Sequence, residues 1–226
     1  MRTRRLAHDS HCCEAPPWLA AVVEVAAHEL GNHLTALSFL SEMMRGEPGP
    51  ERSEHDAENV HALIAQSASL VRALTWLSTR ATPPVALDAR EAALELEPLL
   101  QRLANGALRF EDTGEAAPLF VSRSRLVRAL IELVLAARAH ASSSEPIVVR
   151  IGREEAGADG EPAVRIAVEG RASDAPLPAA SDLPSARDLA ELADGSVCVR
   201  TLPDARAAFS LVLPLDAGEA PVAGAR

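Results

Sequence analysis

Apolar residues recur at steps of three and four from Trp18 to about Arg45: Leu19, Val23, Ala26, Leu30, Leu34, Leu37, Leu40 and Met44 form one stripe. That period predicts an amphipathic helix of about seven turns. Gly46-Glu47-Pro48-Gly49-Pro50 stops it, since both residue types break helices. A second helical pattern starts near Ser53 or Glu54 and runs to about Thr79. Val60, Ser67 and Leu74 hold one heptad position and Leu63, Leu70 and Leu77 another, with Ile64 and Val71 widening the stripe. Thr82-Pro83-Pro84 ends it. Two long amphipathic helices with a short connection predict an antiparallel hairpin. Its apolar face is too wide to stand alone. Burying it against a second copy gives a four-helix bundle, so a homodimer is expected.

Beyond Pro84 the pattern turns mixed. Ala89 to Ala104 reads as a helix, Ala107 to Phe110 and Leu119 to Val121 as short strands, and Ser124 to Ala141 as a strongly apolar helix. Pro146 to Ile151 and Ala163 to Val168 read as strands around a turn carrying Gly157, Asp159 and Gly160. Residues 171–184 form a loop rich in Pro, Ala, Ser and Asp. Ser185 to Ala193 reads as a short helix, Asp194-Gly195 as a turn, and Val197 to Thr201 with Ala208 to Leu215 as a closing hairpin. The expected fold class is α+β: a helical hairpin, then a mixed sheet covered on one face by three helices. The expected organisation is a tail at 1–17, the hairpin at 18–82, the mixed domain at 83–215 and a polar tail at 216–226.

Composition narrows the possible functions. The 226 residues carry 22 basic groups, all Arg, against 32 acidic ones, a formal net charge of −10. Such a balance argues against a nucleic-acid partner held through phosphates. Hydrophobic content of 48% is ordinary for a globular protein. Cys12, Cys13 and Cys198 are odd in number, and two are adjacent, so a reducing cytoplasm is expected. The longest apolar run, Trp18 to Ala27, is short and broken by Glu24, so no membrane partner is expected. Met1 to Arg5 is basic without a secretory core behind it.

The chemistry concentrates in His28-Glu29-Leu30-Gly31-Asn32-His33-Leu34-Thr35-Ala36-Leu37. With Ala26 and Leu30 facing the hairpin interior, His28 stands about 200° around the helix and faces water. Asn32 lies one turn on along the same face. Glu29 flanks that face. A neutral imidazole is a nucleophile, a carboxylate can orient its tautomer, and an amide can hold a water beside whatever the ring carries.

This segment resembles the H-box of bacterial sensor histidine kinases, His-Glu/Asp-Leu-Arg/Asn-Asn/Thr-Pro-Leu-Thr-x-Ile/Leu. The hairpin around it resembles their dimerisation and histidine-phosphotransfer domain, and the mixed domain their ATP-binding domain. The resemblance implies that His28 carries a phosphoryl group, that Glu29 is its acid/base partner and that Asn32 assists dephosphorylation. His33 stands where Pro is usual, so the usual helix bend is expected to be absent. Gly31 replaces a basic or amide residue, which loosens the helix or lets a partner approach closely.

The ATP site of that family needs an Asn-rich helix for magnesium, an Asp-x-Gly-x-Gly strand end for adenine and a Gly-rich lid, features that supply oxygen ligands and backbone N–H groups. In the helix Leu126 to Ala137, Glu132 stands where the first Asn is expected and Ala136 where the second is, and a methyl group cannot ligate a metal. Val168-Glu169-Gly170-Arg171-Ala172 stands at the strand end, with Arg171 expected to fill the pocket. Residues 171–184 contain no Gly, and Pro176, Pro178 and Pro184 stiffen them. The pattern resembles dimeric histidine phosphotransferases with a degenerate kinase-like domain. It implies a protein with no cofactor of its own that exchanges phosphate with the aspartates of receiver domains, which bring their own Mg. The alternatives are a soluble histidine kinase with an atypical ATP site and a non-catalytic dimeric adaptor that binds a kinase or response regulator.

Other clusters read as less specific. His8, His11, Cys12 and Cys13 have cramped spacing for a metal site. His55 and His61 are expected in water, and His140 is expected to complement a helix C-terminus. Arg123, Arg125 and Arg128 read as a solvated face, and Glu91, Glu95 and Glu97 as an acidic helix surface.

Overall fold

The computed structural model describes residues 16–43, 50–79, 82–112, 116–140, 145–156, 161–173 and 175–215. The His/Cys-rich segment at 8–13, the turn at 157–160 and both predicted tails lie outside the described residues, apart from Pro16 and Pro17.

Helix α1 (Pro17–Met43) and helix α2 (Pro50–Ser78) pack along each other. Both start at a proline, whose missing N–H costs nothing in a first turn. The buried positions of α1 are Val22, Ala26, Glu29 and His33, and those at the foot of α2 are Leu70, Ala73 and Leu77. Helical periodicity therefore holds, but with two polar residues inside the stripe. No described helix is long and apolar enough to cross a membrane.

The mixed part begins with strand β1 (Val85–Asp88), which pairs antiparallel with β3 (Pro118–Val121) in a two-stranded ribbon separate from the main sheet. Asp88 knits this ribbon to the next helix: its carboxylate accepts from the N–H groups of Arg90 at 2.8 Å, Glu91 at 3.2 Å and Ala117 at 2.9 Å. The predicted helix Ala89 to Ala104 is two helices, α3 (Ala89–Glu95) and α4 (Glu97–Leu103). Pro98 has no N–H to give to the preceding turn, so the helix breaks at Leu96 and a new one starts with Pro98 in its first turn.

Strand β2 (Leu108–Asp112), helix α5 (Arg123–His140), strands β4 (Ile147–Ala156) and β5 (Glu161–Arg171), helix α6 (Pro184–Leu192), and strands β6 (Ser196–Thr201) and β7 (Arg206–Pro214) complete the fold. The main sheet has the order β2-β4-β5-β7-β6, parallel between β2 and β4 and antiparallel elsewhere, so it is mixed as expected. Val164, Ile166 and Val168 of β5 and Phe209, Leu211 and Leu213 of β7 are buried in the core that α5 and α6 complete. The opposite face carries alternate positions, among them Arg150, Arg165 and Glu169. Both central strands run longer than their apolar stretches, because their charged residues pair across that face. Arg150 reaches Glu111 at 2.7 Å and also binds Glu169, while Arg165 reaches Glu154 at 3.2 Å. Arg150 holds the Glu111 carboxyl below its ordinary range, by hydrogen bond and by charge.

The arginines at the start of α5 do not form the expected solvated face. Arg128 donates to the carbonyls of Leu77 at 3.0 Å and Thr79 at 2.7 Å, satisfying groups that the end of α2 leaves open. Arg123 lies 5.1 Å from the Trp76 ring centroid and pairs with Glu95 at 2.6 Å. Arg125 pairs with Asp188 on α6. Arg128 and Arg123 join the hairpin to the mixed part, while Arg125 ties α5 to α6 within it. Long side chains cross to partners distant in sequence there, so no local pattern announces the join.

Gly195 turns the chain from α6 into β6, and its N–H closes on the Ala190 carbonyl at 2.8 Å. A Cβ there would collide with the Val212 carbonyl oxygen and stand 2.9 Å from the Leu213 side chain. Gly195→Ala is expected to lower unfolding free energy by about 1–3 kcal/mol, read from urea midpoints at unchanged slope.

Candidate functional site

His28 and Asn32 are both exposed on α1, on the side turned away from Val22 and Ala26. Among the described residues, no hydrogen bond or ion pair engages the His28 ring. Its nitrogens face water. A Cβ on Gly31, between the two, would meet nothing within 4 Å, so the helix surface beside His28 is open to a partner. The helix runs unbroken through His33, in line with the absence of proline there. Thr35 Oγ1 donates to the Gly31 carbonyl at 2.9 Å, which ties down the turn that Gly31 would loosen.

Glu29 sits elsewhere than the sequence reading placed it. It is 7% exposed, and its Oε2 is 3.0 Å from Arg102 Nε on α4. Adjacent residues on a helix do not face each other, and this carboxylate is turned about 100° from His28 toward the mixed part. Arg102 was missed in the sequence. It looks like an ordinary basic residue in the last turn of a helix.

His33 is buried, and its Nδ1 is 3.0 Å from Ser67 Oγ. The Ser67 hydroxyl spends its proton on the Leu63 carbonyl at 2.7 Å. It therefore accepts from His33, which places a ring proton on Nδ1. Glu29, His33, Gln66, Leu70, Glu97 and Arg102 line part of a cleft of about 440 Å³ between the hairpin and α4. His55 and His61 are exposed on α2.

On α5, Glu132 is buried and accepts from the Ala186 N–H at 2.8 Å in the first turn of α6. Ser185 adds backbone and side-chain hydrogen bonds to the same carboxylate. Leu183, the residue before α6, offers no side-chain cap, so Glu132 takes the role from across the layer. Burial is the largest influence on the group and raises its pKa above 4.5 despite those donors. Ala136, one turn on, presents only a methyl group. Half-buried Leu177 and buried Leu183 of the Pro-rich segment pack into the core. The Ser173 N–H donates to the His140 carbonyl at 2.8 Å and satisfies the end of α5, while the His140 ring lies 6.2 Å from that of Phe209.

One expectation at the strand end needs correction. Arg171 fills no pocket: it points outward and pairs with Glu145 at 2.7 Å. Glu169 lies on the sheet face away from α5, buried between Arg150 and Arg206. Alternation along β5 puts Gly170, not Glu169, on the α5 side. These residues do not fit a magnesium nucleotide. One candidate oxygen ligand caps α6, the next position is Ala, and the strand end presents no carboxylate to the helical layer.

No protein-family model and no curated protein matches the chain. Among solved structures, it is similar to the Acinetobacter baumannii histidine kinase AdeS, at 16% identity over 84% of this chain and 98% of that one, with a TM-score of 0.45. It is also similar to a bacterial phosphotransferase, at 18% identity over 88% and 97% of the two chains and a TM-score of 0.45. A third likeness is to the mycobacterial sensor histidine kinase MprB, at 15% identity over 58% and 97%, with a TM-score of 0.46. Values this low leave the function to be argued from the chain's own residues.

The Glu132 environment makes a signed pH prediction. Its native carboxyl binds a proton more tightly than the unfolded one, so its contribution to stability falls as pH rises from 4.5 through the raised native value. Glu132→Gln cannot titrate. Denaturant titrations across pH 4–7 are expected to show the difference between wild type and variant drifting against wild type through that interval.

Proposed function

We propose that the chain is a histidine phosphotransferase of two-component signalling, passing a phosphoryl group between His28 and the aspartates of receiver domains. In the forward step the Nε2 lone pair of neutral His28 attacks phosphorus in line. The N–P bond forms as the bond from phosphorus to the aspartyl oxygen breaks, and the aspartate leaves as a carboxylate. The ring, still protonated on Nδ1, is cationic until that proton passes to water. The second receiver reverses the exchange. Asn32, one turn along the same exposed face, holds a water near the phosphorylated ring and assists its hydrolysis. The receiver brings the magnesium.

The observation that carries this reading is the pairing of a free, water-facing imidazole on α1 with an α5–α6 layer whose residues do not suit a nucleotide. A phosphoryl acceptor without an ATP cradle draws phosphate from a donor outside the chain, on this reading the receiver's aspartyl phosphate. The test is incubation with a receiver domain charged by a labelled small-molecule phosphodonor. Acid-labile label is expected on the wild-type chain and absent from His28→Ala. Asn32→Ala is expected to keep the label and lengthen its lifetime several-fold. Full signalling in cells by His28→Ala would favour a non-catalytic adaptor instead.

A homodimer belongs to the same proposal. On α1 and α2 the flanks nearest the mixed part carry Glu29, Ser69, Ala73 and Trp76. At about 100° per residue the opposite flanks carry Val23, Leu34, Ile64 and Val71. These four are 50%, 64%, 53% and 50% exposed. A second copy of the hairpin supplies the matching stripe. Leu34→Glu combined with Val71→Glu is expected to sediment as a folded monomer where wild type sediments as a dimer.

A further inference from the structure

We propose that Glu29 and Arg102 form a latch that holds the mixed part beside the His28 helix, and that Glu29 serves docking rather than proton transfer. The inference rests on the phosphotransfer reading only for its effect on rate. The latch itself follows from how the junction is built.

That junction has two unlike ends. At its foot, Val22, Leu70, Ala73 and Leu77 are buried in one continuous core with α5 and the sheet. Arg128 and Arg123 close over the end of α2 at the same level. Further along α1, toward His28, apolar packing gives way to the cleft of about 440 Å³. Across that cleft, Ser69 Oγ donates to the Glu95 carbonyl at 2.8 Å. The ionic connection there is Glu29 with Arg102. An open cleft beside a packed foot is the geometry of a hinge with a catch. The foot can persist while the upper contact opens.

The two partners are unequally placed. The Glu29 side chain is 10% exposed and that of Arg102 59%. Arg102 is the arm that reaches in, and its remaining guanidinium edges are in water. Glu29 is the fixed post, on the helix face between His33 and the mixed part. Losing Arg102 leaves a largely buried carboxylate unpaired, which drives the post toward water and the layers apart. A carboxylate committed to this contact, and turned from His28, is a docking group by position. Its influence on the imidazole runs through the wall that the mixed part forms beside the receiver's landing site.

The test is a charge-reversal cycle on the full chain with two readouts: amide hydrogen exchange in α4, and the initial rate of label transfer from the phosphorylated receiver. Glu29→Gln and Arg102→Gln are each expected to speed exchange in α4 about tenfold, leave β5 and β7 unchanged, and slow transfer. Glu29→Arg with Arg102→Glu is expected to restore both protection and rate. Unchanged α4 protection in the single variants would overturn the latch. A double variant that regains protection but transfers no phosphate would return Glu29 to the chemistry. If the wild type takes no label from any receiver, the phosphotransfer reading fails, while the exchange data still decide the latch.

Discussion

The seating of α6 on α5 rests on one largely buried carboxylate. Glu132 enters the first turn of α6 and accepts from the Ala186 N–H, a donor that the helix itself leaves open. An acid buried this way is stabilising only with its donors in place, and α6 has no cap of its own to replace it. The contact therefore sets where α6 lies against α5, and α6 in turn lies against β6 and β7. It also consumes the group that could have met a metal.

On the proposed reading, the reactive surface lies on the hairpin, where His28 and Asn32 are exposed. An imidazole without a partner inside the chain is poised for one outside it. The mixed part then acts as a wall, fixed at its foot by apolar packing and by arginines that bind the end of α2. The division is physical: apolar contacts and backbone carbonyls hold the foot of the junction, and an ion pair beside an open cleft holds the end nearest His28. Ion pairs at partly exposed sites weaken with salt and reorganise readily, which suits them to a contact that opens.

Much of this was legible in the sequence, and the failures have a common cause. Three- and four-residue steps located α1 and α2 and put His28 and Asn32 on the water face, because a single helix fixes relative angles within itself. The same period could not reveal that Glu29 and His33 belong to the buried side. Their partners, Arg102 and Ser67, lie on other helices. The break at Leu96 was readable from Pro98 but was overridden by a continuous apolar pattern. Strand β1 was missed, since four residues beside Pro83 and Pro84 carry little alternation. Strand alternation placed the core of β5 but not the surroundings of its last residues, so Arg171 was assigned to a pocket it does not enter. The arginines of α5 looked like surface for the same reason as Arg102: a long side chain shows its partner only when the chain is folded.

The central claim is that this chain draws phosphate from a protein and not from a nucleotide. Isothermal calorimetry of the purified chain with ATP and magnesium addresses it without assuming any partner. A flat titration is the expected result, identical in wild type and in Glu132→Gln. A saturable, magnesium-dependent heat that one nucleotide per chain accounts for would show an intact cradle between α5 and α6, contrary to the role assigned to Glu132.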